Sequence, residues 1–273
     1  MRPIRHRALL CLTLLCLTLL AIISSHSASA SDAQSYSMQS DVNELYALAN
    51  QARAGYGLAP LQWDQALASS AMQHCELMAR APQIEHRYRN EDDLPLRASK
   101  ARAHFSLIEE NIASGPNASG IQQAWMHSPE HRANLLNSSI DRVGLAVVAR
   151  NGQLYAVADY ARAVPMLTET QVESAVAAQL RARGVAVLAD TSQARAYCAS
   201  NGGFGAAGAR LMMRWQNSDV TQLPSDVLRE LSSGAYHRAA VGSCLDQDQA
   251  ASFTSYRVAV ILYGADSATP RAQ

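Results

Sequence analysis

The spacing of apolar residues predicts two amphipathic helices after residue 40. Asp41 with Glu44 three positions later forms a helix start signal, because both side chains can satisfy free amides of a first turn. Apolar residues then recur at helical intervals as far as Gly55. A second helix is predicted over 64–80, where four apolar residues follow at steps of four, four and three: Leu67, Ala71, Cys75 and Met78. Each stripe predicts one helix face packed against a core.

Residues 81–160 alternate between polar connections and short regular elements. The predicted order is a surface loop over 81–104 with a short helix late in it, helices over 119–127 and 128–136, and strands over 143–149 and 154–160. Ser128 before Pro129 is a strong helix start, because serine caps the first turn and proline fits its first position. Asn151-Gly152 favours a two-residue hairpin, which pairs the two strands.

A second run of elements follows a boundary at 161–168. We predict helices over 169–183, 191–197 and 223–231, and strands over 185–188, 239–243 and 256–263. The last two strands resemble the earlier strand pair, because Ala240-Val241-Gly242 is similar to Arg142-Val143-Gly144. The pattern therefore allows a degenerate duplication, although the sequence has no fixed-period repeat.

The first thirty residues have the pattern of a secretory leader. Three arginines precede an apolar run over 8–23, and Ala28-Ser29-Ala30 offers the small residues needed for cleavage after Ala30. A bilayer span needs about 20 apolar residues, so we predict cleavage rather than a retained anchor, and no membrane span afterwards. The expected location is secreted or periplasmic, and the polar segment 31–39 is predicted to be a tether.

Charge and cysteine content narrow the choice of partners. The chain has 23 basic and 23 acidic residues, and loss of residues 1–30 removes three arginines, which leaves a net charge of −3. A phosphate backbone requires a basic surface, so nucleic acid is not expected as a partner. Of the cysteines that remain, Cys75 lies in the helical stripe and is predicted to be a buried thiol. Cys198 and Cys244 could pair in the oxidising environment that export provides.

The sequence lacks several common catalytic signatures. It contains no G-x-S-x-G, no H-E-x-x-H, no C-x-x-C and no P-loop. Residues 203–208 match the letters of a dinucleotide fingerprint, but the segment before them is predicted to be helical rather than a strand. We interpret them as a glycine-rich loop.

The candidate chemistry lies between residues 86 and 134. His86, Glu110 and His131 are residue types that hold metals or transfer protons, and two imidazoles with one carboxylate suit zinc if water takes a fourth position. A structural interpretation stays open, in which Glu110 bonds backbone groups near a turn and His131 is only a first-turn residue.

Two stretches around these residues resemble the CAP superfamily (cysteine-rich secretory, antigen 5 and pathogenesis-related proteins; SCP domain) of the bacterial type. Residues 110–113 are similar to the family's Gly-Glu-Asn-Ile-Ala run, with Glu109 in place of the glycine. The second stretch matches the family's W-x-x-S-P-x-H-R-x-N run at Trp125, Ser128, Pro129, His131, Arg132 and Asn134. The likeness covers about residues 40–161.

The resemblance implies an α-β-α sandwich whose cavity is lined by His86, Glu110 and His131. It also implies that His86 and His131 are the residues to hold a zinc ion, and that the other matched residues are structural: Asn111, Trp125, Ser128, Pro129, Arg132 and Asn134. Animal and plant members have a second glutamate where this chain has Ser128, so the family's full histidine and glutamate set is not reproduced.

These observations predict an α+β chain of two domains. We expect a signal peptide over 1–30, a tether over 31–39, a CAP domain over 40–162, a smaller α+β domain over 166–264 and a disordered tail over 265–273. Three functions stay open: a binding module for a lipid, glycan or peptide; a zinc-dependent hydrolase of peptide or cell-wall substrates with Glu110 as general base; and a structural or adhesion protein with a vestigial site. Binding is favoured over catalysis, because no nucleophile with a partnered base is evident.

Overall fold

The computed structural model describes residues 29–200, 202, 204–244 and 252–264. The predictions for residues 1–28 and 265–273 lie outside the described residues, as do position 203 of the glycine-rich loop and positions 201 and 245–251 of the predicted second domain. The helices are α1 Ser29–Gly55, α2 Gln65–Arg80, α3 Leu94–Lys100, α4 Ala118–His127, α5 Pro129–Leu135, α6 Glu169–Arg181, α7 Ser192–Ala199 and α8 Ser225–Ser232. The strands are β1 Gln62–Trp63, β2 Phe105–Gly115, β3 Arg142–Arg150, β4 Gln153–Ala163, β5 Ala186–Val187, β6 Leu211–Asn217, β7 Arg238–Cys244 and β8 Tyr256–Tyr263.

The first four strands form a sheet with helices on both faces. Their order is β1-β3-β4-β2, with β1 parallel to β3 and the other pairs antiparallel. Leu145 and Val147 of β3 pack with α1 and α4 on one face, whereas Ala146 packs with Ala71 and Cys75 of α2 on the other. This confirms the α-β-α sandwich within an α+β chain, and places β2 at an open edge of the sheet.

Local signals explain most of the boundaries in this domain. Asp64 caps α2 by accepting hydrogen bonds from two amides, and Ser128 caps α5, as predicted. Asn151 and Gly152 both have positive φ, of 53° and 77°, which confirms the tight hairpin between β3 and β4.

The observed secondary structure differs from the predicted one in one helix and two strands. The segment 31–39 is helical rather than a tether, because α1 begins at Ser29 and residues 29–54 contain no glycine or proline to stop it. Strands β2 and β6 were not predicted, because neither 105–115 nor 211–217 alternates regularly between apolar and polar residues.

The second half contains another four-stranded sheet, of order β5-β7-β8-β6. Helices α6 and α8 pack on one face with Val241 and Val260, and α7 packs on the other with Ala240 and Ile261. A disulfide joins Cys198 and Cys244, as predicted, and Cys75 is a buried free thiol.

Candidate functional site

The site is built around Glu110, which lies on the edge strand β2. The side chain of Glu110 is only 3% exposed. It points towards α2 and α3, since it contacts residues of the loop and helices that cover this face. A carboxylate this far from solvent requires charged or hydrogen-bonding partners to stay ionised.

Arg97 of α3 is the main partner of Glu110. Its guanidinium forms an ion pair with the Glu110 carboxylate, lies 3.5 Å from Oδ1 of Asp159 and 3.8 Å from Oε1 of Glu91, and is itself 3% exposed. The helix that carries it is fixed at its start by Asp93, which accepts a hydrogen bond from the amide of Leu96. One buried cation therefore holds three buried carboxylates together.

His74 of α2 closes this cluster from the helix side. It is fully buried, with Nδ1 2.6 Å from Oε1 of Glu91 and Nε2 4.0 Å from Oε2 of Glu110. Burial, followed by the nearby Arg97 charge, lowers the pKa of His74, so its imidazole is neutral at pH 7. The neutral ring can donate one hydrogen bond, from Nδ1 to Glu91, and it adds no charge to the cluster.

Asp159 lies at the bottom of the cluster on β4. Ser70 of α2 donates a hydrogen bond to its Oδ2 at 2.9 Å. Complete burial raises the pKa of Asp159 to about 6, although Arg97 and Ser70 act in the opposite direction. Desolvation outweighs both partners, so this carboxylate takes up a proton at a higher pH than a solvent-exposed aspartate does.

His86 connects the buried cluster to the surface. Its Nδ1 lies 2.7 Å from Oε1 of Glu110, yet its side chain is 58% exposed. The half-buried His131, at the start of α5, lies beside it, with 6.4 Å between the two ring centroids. Partial burial lowers the pKa of both histidines, with further contributions from Arg97 at His86 and from His86 at His131. The structure thus brings together His86, Glu110 and His131.

Asparagines hold this edge of the sheet to α5. Asn111 donates to the carbonyl of His131 at 2.8 Å, and Asn134 donates to the carbonyl of Glu110 at 3.1 Å and to Oδ1 of Asn111 at 3.0 Å. Trp125 is buried and donates to the carbonyl of Ile112. These contacts fix the position of His131 relative to Glu110. Arg132 is exposed and donates to the carbonyl of Met126.

The arrangement does not fit a zinc ion bound by the three predicted residues. The carboxylate of Glu110 is already paired with Arg97, whose positive charge opposes a second cation. Two imidazoles on one tetrahedral zinc would have ring centroids about 5 Å apart, from Zn–N bonds of about 2 Å, which is shorter than the 6.4 Å between His86 and His131. Among the described residues, no group of three or more histidines, cysteines and acids is placed to hold a metal ion.

A separate groove in this domain does not involve the three predicted residues. A groove of 640 Å³ lies between α1 and α2, and its lining includes Tyr46, Trp63 and Met72 but none of the three. Trp63 and Met72 are among the exposed large apolar residues. The histidines lie instead at the edge of the sheet, where the 81–104 loop meets α5.

Sequence reasoning missed the residues that surround Glu110: Ser70, His74, Glu91, Arg97 and Asp159. Asp159 offered a signal, because a carboxylate inside the apolar run 154–160 requires a buried partner. His74 offered a weaker signal, because it lies next to Cys75 on the apolar face of α2. Arg97 gave no signal, since nothing in the charged loop distinguishes it from its neighbours.

The fold and the site define an α+β sandwich domain with a histidine- and glutamate-containing site at the sheet edge. The profile of the Cysteine-rich secretory protein family, CAP, matches residues 46–160. The first domain belongs to this family, as the motifs around Glu110 and His131 indicate.

Individual relatives match the same region. An uncharacterized membrane protein of Bacillus subtilis, YlbC, is 33% identical over 108 residues, which are 38% of this chain and 30% of that protein. An extracellular SCP-domain protein of Bacillus anthracis is 26% identical, with 48% of this chain and 43% of that chain covered and a TM-score of 0.45. An outer surface protein of Borrelia burgdorferi is 23% identical, covering 45% and 93%, with a TM-score of 0.43. The match to the B. subtilis protein spans less than a third of its length.

No helix in the described part of the chain combines the length and apolar character of a membrane span.

Proposed function

We propose that this chain is an exported binding protein that recognises a polar ligand, a glycan or a peptide, at the surface formed by His86 and His131. The observation that carries the proposal is the contrast between Glu110, 3% exposed, and His86 above it, 58% exposed. The buried ion cluster fixes the inner nitrogen of an imidazole whose other nitrogen lies on the open side.

The chemistry of this surface favours hydroxyl and amide groups as ligands. His86 donates from Nδ1 to Glu110, so its Nε2 can accept from a ligand, whereas a neutral His131 can donate one hydrogen bond and accept another, which together match sugar hydroxyls and peptide amides. The lowered pKa values of His86 and His131 favour this neutral form at pH 7. An acyl chain fits this polar surface poorly; the groove beside Trp63 and Met72 is the better place for a lipid.

Binding explains the site better than hydrolysis does. The one hydroxyl in the cluster, that of Ser70, is buried and donates to Asp159, so it cannot attack a substrate. The zinc-dependent alternative requires Glu110 as a base, but the Glu110 carboxylate forms a buried ion pair with Arg97, which makes it a weaker base. Export is supported by the leader pattern of residues 1–30 and by the Cys198–Cys244 disulfide, which suits an oxidising compartment.

Calorimetric titration with defined probes tests the proposal. The probes are a chitooligosaccharide, a muropeptide, a lipid micelle and zinc chloride, each added to the exported protein and to His131→Ala. His127→Ala is the matched control, because His127 is an exposed histidine of the neighbouring helix α4. We expect the sugar or the muropeptide to bind wild type and His127→Ala but not His131→Ala. Zinc bound by wild type and lost in His131→Ala would instead support the hydrolase, and no binding by any probe would support a vestigial site.

A further inference from the structure

The two halves of the chain repeat one topology. The first sheet has the order β1-β3-β4-β2 and the second β5-β7-β8-β6, which is the same order when each strand is replaced by its counterpart. The directions also correspond, because β1 and β5 run parallel to their neighbours β3 and β7 and the remaining pairs are antiparallel. In each half a helix, α2 or α7, rests on one face, joined in the first half by the short α3, while α1 with α4 or α6 with α8 covers the other.

A close helix–strand approach recurs at equivalent positions. A Cβ added to Gly144 of β3 would lie 2.0 Å from the amide nitrogen of Ala68 in α2. A Cβ added to Gly242 of β7 would lie 2.2 Å from the amide nitrogen of Arg195 in α7. Each glycine lets a helix backbone rest directly on the sheet, a contact that any side chain would prevent. Coincidence of strand order alone does not produce this agreement.

We infer that residues 169–263 are a second, shortened copy of the fold of residues 40–163, in which the ion cluster is replaced and the glycan- or peptide-binding site is lost. The two glycines fix the register. Gly144 is the cross-strand partner of Asp159, and Asp159 is the partner of Glu110. Gly242 pairs in the same way with Ala259, and Ala259 with Arg214.

The second copy therefore has an arginine where the first has its central glutamate. Nη1 of Arg214 donates to the carbonyls of Tyr197 and Ser200, and the guanidinium lies over the Tyr197 ring, 5.2 Å from its centroid. Tyr197 in turn occupies the position of Ser70, since it lies two residues after Arg195 as Ser70 lies two residues after Ala68. Arg214 therefore contacts residues of the second half. Its cross-strand partner Ala259, at the position of Asp159, provides no carboxylate for an ion pair.

The disulfide of the second copy identifies a pair of positions in the first. Cys198 lies three residues after Arg195, as Ala71 lies three after Ala68, and Cys244 lies two after Gly242, as Ala146 lies two after Gly144. Ala71 and Ala146 are both fully buried and belong to one apolar cluster. The two copies thus join helix and strand at the same place, one by packing and the other by a covalent bond.

Transfer of the disulfide tests the inference without any ligand. The full-length chain with Ala71→Cys and Ala146→Cys, in a Cys75→Ala background, is exported to an oxidising compartment and analysed by peptide mass spectrometry. We expect both new thiols to be lost in a peptide linked between positions 71 and 146. The control pair, Ala71→Cys with Val147→Cys, should keep its thiols, because Val147 packs on the opposite face. A folded protein with free thiols at 71 and 146 would overturn the inference.

A second variant keeps the inference testable if the paired cysteines prevent folding. Gly242→Ala should lower the melting temperature by about 4 °C or more, whereas Gly205→Ala, which meets nothing within 4 Å, should not. An unchanged melting temperature for Gly242→Ala would show that α7 does not rest on β7 at Gly242, and the alignment of the two halves would lose its basis. The inferred loss of the second binding site rests on the proposed function. A calorimetric stoichiometry of one ligand per chain supports this loss, and a stoichiometry of two overturns it. A chain that binds no ligand but forms the cross-link would refute the proposed function alone.

Discussion

Glu110 and Asp159 are direct cross-strand partners, and both carboxylates lie on one face of the sheet against the single guanidinium of Arg97. Residues directly opposite on antiparallel strands project to the same side, so the backbone register itself places two acids together. The buried arginine makes this arrangement tolerable, and it gives Arg97 a larger role in stability than any surface arginine.

Arg97→Gln should destabilise the protein by about 3 to 5 kcal/mol, because it leaves buried carboxylates without their cation. The measurement is the free energy of unfolding from denaturant titration at pH 7. Arg80→Gln is the control, since Arg80 forms an exposed pair with Glu76 on α2 and should change stability little. Equal stabilities of the two variants would show that Arg97 does not hold the cluster.

Asp159→Asn should change how stability depends on pH. The pKa of Asp159 is raised to about 6 in the folded protein from an unfolded value of 3.8, so the folded state takes up a proton first as the pH falls. The ionised carboxylate therefore costs stability above pH 6, and this cost is relieved on acidification. Between pH 7 and pH 5, wild type should gain about 1 kcal/mol relative to the variant. A gain by the asparagine variant relative to wild type would reverse the assigned shift.

Gly144→Ala should destabilise the first domain, because its Cβ would overlap the backbone of α2 at Ala68. Backbone cannot yield as a flexible side chain does, so we expect a loss of about 3 kcal/mol or more in the free energy of unfolding. Gly55→Ala provides the comparison, since a Cβ there meets nothing within 4 Å. If both variants unfold at the same denaturant concentration, α2 does not rest on β3 as described.

The cysteines should show one buried thiol after removal of residues 1–30. Burial raises the pKa of Cys75 to about 12, so its reactive thiolate is scarce at pH 8, and Cys198 and Cys244 are joined. A thiol reagent should detect no fast-reacting group in the native protein and one group after denaturation without reductant. Detection of three groups on denaturation would show that the disulfide does not form.

The sequence predicted the sandwich but not the environment of its central glutamate. Helix caps such as Asp64 and Ser128 and the Asn151-Gly152 turn act through neighbouring residues, so they can be interpreted locally. The pairing of Glu110 with Arg97 and Asp159 depends on strand register and on the course of the 81–104 loop, which no local pattern specifies. For the same reason the replacement of Glu110 by Arg214 in the second half becomes visible only once both registers are known.

Whether a site residue could be predicted also depended on whether it lies in a short local motif. The resemblance to the family found Glu110 and His131, because both lie in short motifs with fixed neighbours. It gave His86 through a weaker match, and the structure places that ring against Glu110. The arrangement does not favour the zinc site that the resemblance implied. The resemblance carried no information about Arg97, which forms an ion pair with Glu110, the carboxylate that a metal or a catalytic step would require.

The proposed function requires the exposed face of His86 and His131 to be the ligand-binding surface. Ring ¹⁵N and ¹H shifts of the histidines, recorded by NMR at pH 7 while a muropeptide is added, test this directly. We predict saturable shifts at His86 and His131 and none at His127, which serves as an internal reference on α4. Unchanged rings at both site histidines, with shifts at Trp63 in the groove between α1 and α2, would contradict the account and place the ligand elsewhere.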